Sequence, residues 1–227
     1  MKHPAKYTDK FLPIFAEILK DCKTVLDPFA GTGKISEIKK YGFTGKVICN
    51  EIEKEWTGNT DVDKWHIGDA EKMEYLQDNS IDAICTSPTY GNRMADHFEA
   101  KDNSHRITYH HYLGKPLNEN NTGKMQWGKK YQEKHKAIFG ELKRVIKDNG
   151  ILIINISDHI RAGEIIPVVG WYIYELENAG FKLKENIEVK TPRMKFGENR
   201  QRVDCESILV FNSVQQAKYK SRLSVNE

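Results

Sequence analysis

Short apolar runs alternate with polar or helix-like segments along most of the chain. Runs of strand length occupy residues 24–26, 47–49, 65–67, 81–85 and 151–156. Strands that alternate with helical segments are typical of crossover units, in which helices cover both faces of a parallel sheet. The pattern therefore predicts an α/β fold built on a mostly parallel sheet.

Three segments carry the periodicity of helices. Residues 9–20 place their apolar side chains on one helix face. Residues 131–147 form a second helical run, which an Asp-Asn-Gly stop signal follows. Residues 168–179 lie between a proline and a glycine, and these are typical start and stop signals of a helix.

The last two apolar segments predict a hairpin. Residues 181–190 and 207–211 have the length of strands and flank the polar loop 191–206. This order suggests that an antiparallel strand ends the sheet. We therefore expect a single domain over residues 1–212, followed by a polar tail over residues 213–227.

The segment 92–130 does not fit the alternation of strands and helices. It has little hydrophobic periodicity, is rich in Asn, Gly, His and Lys, and carries aromatic side chains at Phe98, Tyr109, Tyr112 and Trp127. A connection of this length in a compact domain is usually functional or disordered. We therefore expect an insertion that faces the substrate.

The composition sets limits on location and partners. The 227 residues are 39% hydrophobic and carry a net charge of only +3, which points to no particular partner. No apolar run approaches the ~20 residues that span a bilayer, and the first residues lack the apolar stretch of a secretory signal. Cys49 and Cys85 fall inside strand runs, and the four cysteines form no C-x-x-C pair. We expect a cytoplasmic protein with reduced thiols.

The first candidate site is the sequence Asp-Pro-Phe-Ala-Gly-Thr-Gly at residues 27–33, directly after the first strand run. Glycines at a strand-to-helix turn let a ligand lie against bare backbone. Glu51 and Asp69 end the next two strand runs, where one carboxylate can accept ribose hydroxyl protons and the other an adenine amino proton. The phosphate-loop spacing is missing and an acid adjoins the glycines, so the pattern excludes a phosphate site.

The second candidate site is Thr-Ser-Pro-Thr-Tyr-Gly at residues 86–91, after the buried-looking run 81–85. An exocyclic base amine is a poor nucleophile because its lone pair is delocalised into the ring. The Ser87 hydroxyl and the Pro88 carbonyl can accept both amine protons and so favour a tetrahedral nitrogen. Tyr90 can stack on a base that is single-stranded or flipped out of a duplex.

Together the two sites resemble those of class I S-adenosylmethionine-dependent amino-methyltransferases that act on DNA bases. The resemblance covers residues 2–156 and implies a Rossmann-like fold with a seven-stranded sheet. It also implies S-adenosylmethionine as cofactor and Ser87, Pro88 and Tyr90 as catalytic residues. Residues 3–8 are similar to the segment that this family places over the methionine end of the cofactor. The implied cofactor-binding residues are Asp27, Phe29, Ala30, Gly31, Gly33, Glu51, Asp69, Ala70, Lys6 and Tyr7.

The catalytic string departs from the family at one position. The family's usual string is [DNS]-P-P-[YFW], whereas this chain has Thr89 in place of the second proline. The proposed acceptors and the stacking ring are retained. Serine in the first position is commoner among N4-cytosine enzymes than among N6-adenine enzymes, and both bases remain open.

Basic side chains lie between aromatic rings in segment 92–130 and again in loop 191–206. This mixture suits phosphate contacts and base stacking, so DNA is the expected partner and RNA a possible one. Four of the eight histidines lie in segment 92–130 without a His/Cys tetrad, and we expect no metal site. The expected substrate-binding residues are Tyr90, Arg93, Arg106, Trp127, Lys129, Lys130, Arg193 and Arg200.

Three other functions remain open from the sequence. The same chemistry serves an RNA base amino-methyltransferase. A methyltransferase that acts on a free nucleotide or another small molecule would use segment 92–130 as a lid. A non-catalytic module would bind the cofactor without turnover. The target base, the recognition sequence and the oligomeric state do not follow from the sequence.

Overall fold

The computed structural model describes residues 8–91, 109–161, 163–191 and 203–215. Seven strands form one sheet in the order β3-β2-β1-β4-β5-β9-β8, and β6 pairs with β7 in a separate hairpin. The strands are β1 (Thr24–Asp27), β2 (Lys46–Glu51), β3 (Lys64–Ile67), β4 (Ile81–Thr86), β5 (Ile146–Ile156), β6 (His159–Arg161), β7 (Glu164–Ile166), β8 (Phe181–Lys190) and β9 (Cys205–Ser213).

The sheet has the predicted direction of strands. β1 to β5 pair in parallel, and β9 pairs antiparallel with both β5 and β8. This is the predicted mostly parallel seven-stranded sheet with an antiparallel last strand. Because β9 alone among these seven runs backwards, its first residues lie at the edge where the parallel strands end.

The helices are α1 (Leu12–Leu19), α2 (Tyr109–Leu113), α3 (Lys129–Val145) and α4 (Val168–Asn178). Shorter 3-10 turns cover Asp9–Phe11, Lys54–Trp56 and Thr122–Lys124, and a longer 3-10 helix covers Lys34–Tyr41. Pro13 lies in the first turn of α1, where its missing N–H would have no partner within the helix.

Apolar side chains of the sheet pack on both faces. In β4, Ala83 and Cys85 join the cluster under α1, while Ile84 joins the cluster under α3 and α4. The alternation is the period of two that a strand covered on both faces requires. Burial raises the pKa of both the Cys49 and Cys85 thiols, and both residues are buried as expected.

Two parts of the sequence interpretation change. The helix expected over residues 131–147 begins at Lys129 and ends at Val145, because Ile146 pairs with Ile81 and starts β5. The β6–β7 hairpin was not predicted. Its two strands have three residues each, and no strong turn signal lies between them in the sequence.

Candidate active site

The ends of β1, β2 and β4 lie side by side, and each carries a residue of a predicted site. Asp27 ends β1 and is fully buried. Its Oδ1 accepts hydrogen bonds from the Phe29 N–H at 3.0 Å and from the Thr86 hydroxyl at 2.6 Å. Asp27 therefore ties the turn at residues 27–33 to the end of β4, directly before Ser87.

Glycine is required in this turn for two different reasons. Gly31 has φ +53°, and its N–H donates to Glu51 Oε2 at 2.7 Å. Gly33 has φ +72°, and a Cβ there would lie 2.7 Å from Val62 Cγ2 and 2.8 Å from Trp65 Cζ2. Side chains are excluded at Gly33 by packing as well as by backbone conformation.

Glu51, at the end of β2, is a buried carboxylate with two backbone partners. Besides the bond from Gly31, its Oε1 accepts from the Glu53 N–H at 3.0 Å. Burial raises the pKa of Glu51 to about 7, although both backbone bonds oppose the shift. Tyr109 of α2 lies close enough that the Glu51 charge adds to burial in raising the pKa of its hydroxyl.

Asp69 follows β3, and each of its oxygens has a partner in the protein. Oδ1 accepts from the Glu71 N–H at 3.0 Å, and Oδ2 accepts from Lys134 Nζ of α3 at 2.5 Å. Lys134 also pairs with the Glu71 carboxylate. Its neighbour Ala70 is buried. An adenine amino group at Asp69 would therefore share a carboxylate that Lys134 already holds in place.

The turn after β4 brings three polar groups together. The Ser87 Oγ lies 3.4 Å from the Tyr90 hydroxyl, which in turn donates to Glu206 Oε2 at 3.3 Å. Pro88, which lies between Ser87 and Tyr90 in the sequence, is buried. Glu206 belongs to the beginning of β9, so the antiparallel strand brings a carboxylate to the turn at residues 87–90, which we call the catalytic turn after its predicted role.

Hydrogen bonds hold the turn at the position where the family has a second proline. The Thr89 hydroxyl donates to Thr122 Oγ1 at 2.9 Å, and the Thr89 carbonyl accepts from the Tyr131 hydroxyl. Tyr131 and Tyr172 place their hydroxyl oxygens 2.8 Å apart. In this chain, polar contacts to neighbouring elements fix the turn that a proline would otherwise stiffen.

The segment 118–127, which we call the strap, connects the two sites. At one end the Glu53 carboxylate accepts from the Asn118 N–H at 2.7 Å and from Asn121 Nδ2 at 2.9 Å. At the other end the Trp127 N–H donates to the Gly91 carbonyl at 2.7 Å. The N–H of Glu53 donates to the Glu51 carboxylate. The strap therefore extends from the predicted cofactor site at the end of β2 to the catalytic turn.

An aromatic cluster of Trp127, Tyr131, His135 and Trp171 holds the end of the strap. The Trp127 ring packs against Trp171 and Tyr131, with ring centroids 5.3 Å and 5.4 Å apart. His135 is fully buried, its Nδ1 lies 2.9 Å from the Tyr131 carbonyl, and burial lowers its pKa to about 4. Phe29 of the first turn stacks on this neutral ring at 6.0 Å. The cluster thus joins α3 to the turn at residues 27–33, which we call the cofactor turn after its predicted role.

The structure gathers the predicted residues at one edge of the sheet, with some exceptions. Trp127 lies beside the catalytic turn, and its ring is partly buried in the aromatic cluster. Lys129 and Lys130 are exposed at the start of α3. Six predicted residues lie outside the described ones: Lys6, Tyr7, Arg93, Arg106, Arg193 and Arg200. The sequence interpretation missed Glu53, Thr122, Tyr131, Lys134 and Glu206.

None of the helices in the described ranges is long and apolar enough to cross a membrane. Within the same ranges, no group of three or more His, Cys, Asp or Glu side chains is arranged to hold a metal ion.

The chain matches the sequence profile of one protein family and shares its fold with many solved structures. The sequence profile of a DNA methylase family matches residues 81–226. No curated protein sequence matches the chain. A solved S-adenosylmethionine-dependent methyltransferase from Methanosarcina mazei is similar, with 12% identity, a TM-score of 0.54, and coverage of 89% of this chain and 97% of that one.

Two further solved structures share the fold. A protein described as a sarcosine dimethylglycine methyltransferase from Galdieria sulphuraria has 11% identity and a TM-score of 0.55, over 92% of this chain and 85% of that one. A protein described as an RNA methyltransferase from Pyrococcus horikoshii has 17% identity and a TM-score of 0.51, over 91% and 82% of the two chains. At these identities the likeness is one of fold alone, and it confirms the predicted Rossmann-like class I methyltransferase fold.

Proposed function

The chain belongs to the DNA methylase family, and on that premise we propose that it methylates an exocyclic amine of a DNA base, N4 of cytosine or N6 of adenine. Membership makes it an S-adenosylmethionine-dependent methyltransferase. The observation that carries the finer proposal is the adjacency of the two turns. The bond from Thr86 to Asp27 holds the Ser87–Tyr90 turn beside the glycine turn.

The residues of the first turn fit the cofactor by their chemistry. Glu51 is an acceptor-only carboxylate when ionised, and each of its oxygens keeps a lone pair beyond its one backbone bond, as two ribose hydroxyls require. Gly31 leaves the backbone beside it bare. When bound, the cofactor supplies a methyl group on a positively charged sulfur. This positive charge suits an acidic edge of the sheet, which would repel a phosphate group.

The residues of the second turn then act on the base. The Ser87 hydroxyl and the Pro88 carbonyl accept the two amine protons, which pulls the nitrogen lone pair out of conjugation with the ring. The Tyr90 ring stacks on the base and orients its edge. Because a paired base hides that edge, the target must be flipped out or single-stranded.

The proposal is tested by identifying the product. The protein is incubated with methyl-labelled S-adenosylmethionine and, separately, with duplex DNA, single-stranded DNA, RNA and free nucleosides, and the modified nucleoside is identified by mass spectrometry. We expect N4-methylcytosine or N6-methyladenine in DNA. Label found only in RNA, or only in free nucleosides, would replace DNA as the substrate.

We predict that Lys129 and Lys130 contact the phosphate backbone. They are exposed at the start of α3, directly after the strap that binds the catalytic turn. A Lys129→Gln/Lys130→Gln variant should bind DNA more weakly and lower the slope of log affinity against log salt by up to about 1.8, at about 0.9 per contact.

The matched control for this variant is Lys20→Gln/Lys23→Gln. Lys20 and Lys23 precede β1 at the opposite edge of the sheet, and both are exposed. Their replacement should leave the salt slope unchanged in a fluorescence-anisotropy titration. Equal slopes for both double variants would contradict the phosphate contacts and favour a small-molecule lid.

A further inference from the structure

Glu206 is a carboxylate within reach of the catalytic turn that the proposed chemistry does not yet use. Its Oε2 lies 3.3 Å from the Tyr90 hydroxyl, which lies 3.4 Å from the Ser87 Oγ. These contacts are longer than the ~2.5–3.0 Å of a strong O–H···O bond. Catalytic contacts are often long in the absence of substrate and shorten when it binds.

The direction of these two hydrogen bonds follows from which groups can donate. An ionised carboxylate only accepts, so Tyr90 donates its proton to Glu206. The Tyr90 oxygen is then the acceptor for the Ser87 hydroxyl proton. With its own proton directed at Tyr90, the Ser87 oxygen presents lone pairs outward, as an acceptor for a substrate amine.

Methylation of an amine needs a proton acceptor. As the amine nitrogen bonds to the methyl carbon, the carbon–sulfur bond breaks, its electron pair stays on sulfur, and the positive charge passes to nitrogen. The nitrogen must then lose a proton. A serine hydroxyl is a weak base, and Asp27 is fully buried with its Oδ1 bonded to Phe29 and Thr86.

We propose that Glu206 is the terminal proton acceptor of the reaction, reached through the Ser87 and Tyr90 hydroxyls. The amine proton moves to Ser87 Oγ, the Ser87 proton moves to the Tyr90 oxygen, and the Tyr90 proton moves to Glu206. Both hydroxyls end neutral, and Glu206 ends as a neutral carboxylic acid that solvent later deprotonates. This inference rests on the proposed methylation of a base amine.

The test compares Glu206→Gln with wild type in single-turnover methylation. Glutamine keeps an oxygen that accepts from Tyr90 but cannot take up a proton. We expect the rate to fall about 100-fold, a typical contribution of a positioned general base. The Kd for S-adenosylmethionine and for DNA should stay within twofold of wild type, which also shows that the variant folds.

Two further variants test the path and its end point. Tyr90→Phe keeps the stacking ring but breaks the relay, so its rate should fall while DNA affinity is retained. Glu206→Gly removes the carboxylate, and added formate should restore part of the lost rate. The matched control is Glu188→Gln, an exposed glutamate of the neighbouring strand β8, which should behave as wild type.

The outcomes separate this inference from the proposed function. If wild type methylates DNA and Glu206→Gln keeps its rate within twofold, Glu206 has at most a structural role and the inference is overturned. If wild type methylates RNA and not DNA, the DNA proposal fails, and the same comparison on RNA supports or overturns the relay. Absence of turnover on DNA, RNA and nucleosides overturns both.

Discussion

Replacing Ser87 by alanine is expected to lower the single-turnover rate of methylation by about 100- to 1,000-fold, the range typical of losing one preorganised hydrogen-bonding group that acts in the transition state. In the proposed reaction the hydroxyl accepts one amine proton and begins the relay to Glu206, so its loss should affect both the activation of the amine and the removal of its proton. Single-turnover assays with saturating cofactor and DNA measure the effect.

The cofactor should bind this variant as tightly as it binds wild type. Ser87 follows β4, while the cofactor turn is held through Asp27 and Thr86, which the substitution does not touch. Calorimetric titration with S-adenosylmethionine is therefore the control. A parallel loss of cofactor affinity and of rate would contradict the role assigned to Ser87 and place the residue in the support of the turn instead.

Replacing Glu51 by alanine should weaken S-adenosylmethionine binding by 100-fold or more. Two hydrogen bonds from ribose hydroxyls to a carboxylate are worth about 1.5–3 kcal/mol each, and both would be lost. The buried Gly31 N–H would also lose its acceptor. Glu51→Gln is the milder partner variant, since it keeps one acceptor oxygen and removes the charge. Calorimetry measures both.

The affinity of wild type should also depend on pH because burial raises the pKa of Glu51 to about 7. In the proposed cofactor complex, ribose hydroxyls donate to the ionised carboxylate, so protonation competes with binding, and affinity should fall up to tenfold per pH unit below 7. In the free protein the sign is opposite. A raised carboxyl pKa stabilises the fold below the ordinary value near 4.5, and this contribution is lost as pH rises through 7.

Glu51→Gln separates the two effects. In this variant the cofactor affinity should be flat between pH 6 and 8, and chemical denaturation of the free protein should show a smaller loss of stability over the same range. If the affinity of wild type and of Glu51→Gln changed equally with pH, another group would control binding.

The parts of the site that sequence could predict are those at the ends of parallel strands. Glu51 and Ser87 each follow an apolar run, and consecutive parallel strands end at the same edge, so strand boundaries alone bring them together. Glu206 could not be predicted in this way because it lies at the beginning of a strand. Its position at that edge follows only once the antiparallel pairing of β9 is known.

The remaining residues could not be predicted because their contacts are distant in sequence. Tyr131 is 42 residues from the Thr89 carbonyl that it holds, and no local pattern marks a helix residue as the partner of a turn. Ile146 continues the apolar face of α3 by periodicity. Pairing with Ile81 overrides that preference and turns the residue into the start of β5.

The attachment of the strap has a consequence for protein engineering. The Asn118 contact to Glu53 and the Trp127 contact to Gly91 both use main-chain N–H donors, which every amino acid except proline supplies. The exposed side chains of Glu119, Asn120 and Lys124 can therefore be randomised in a library aimed at base preference while both anchor points survive. The library should leave Asn121, Thr122 and Trp127 unchanged, because their side chains contact Glu53, Thr89 and the aromatic cluster.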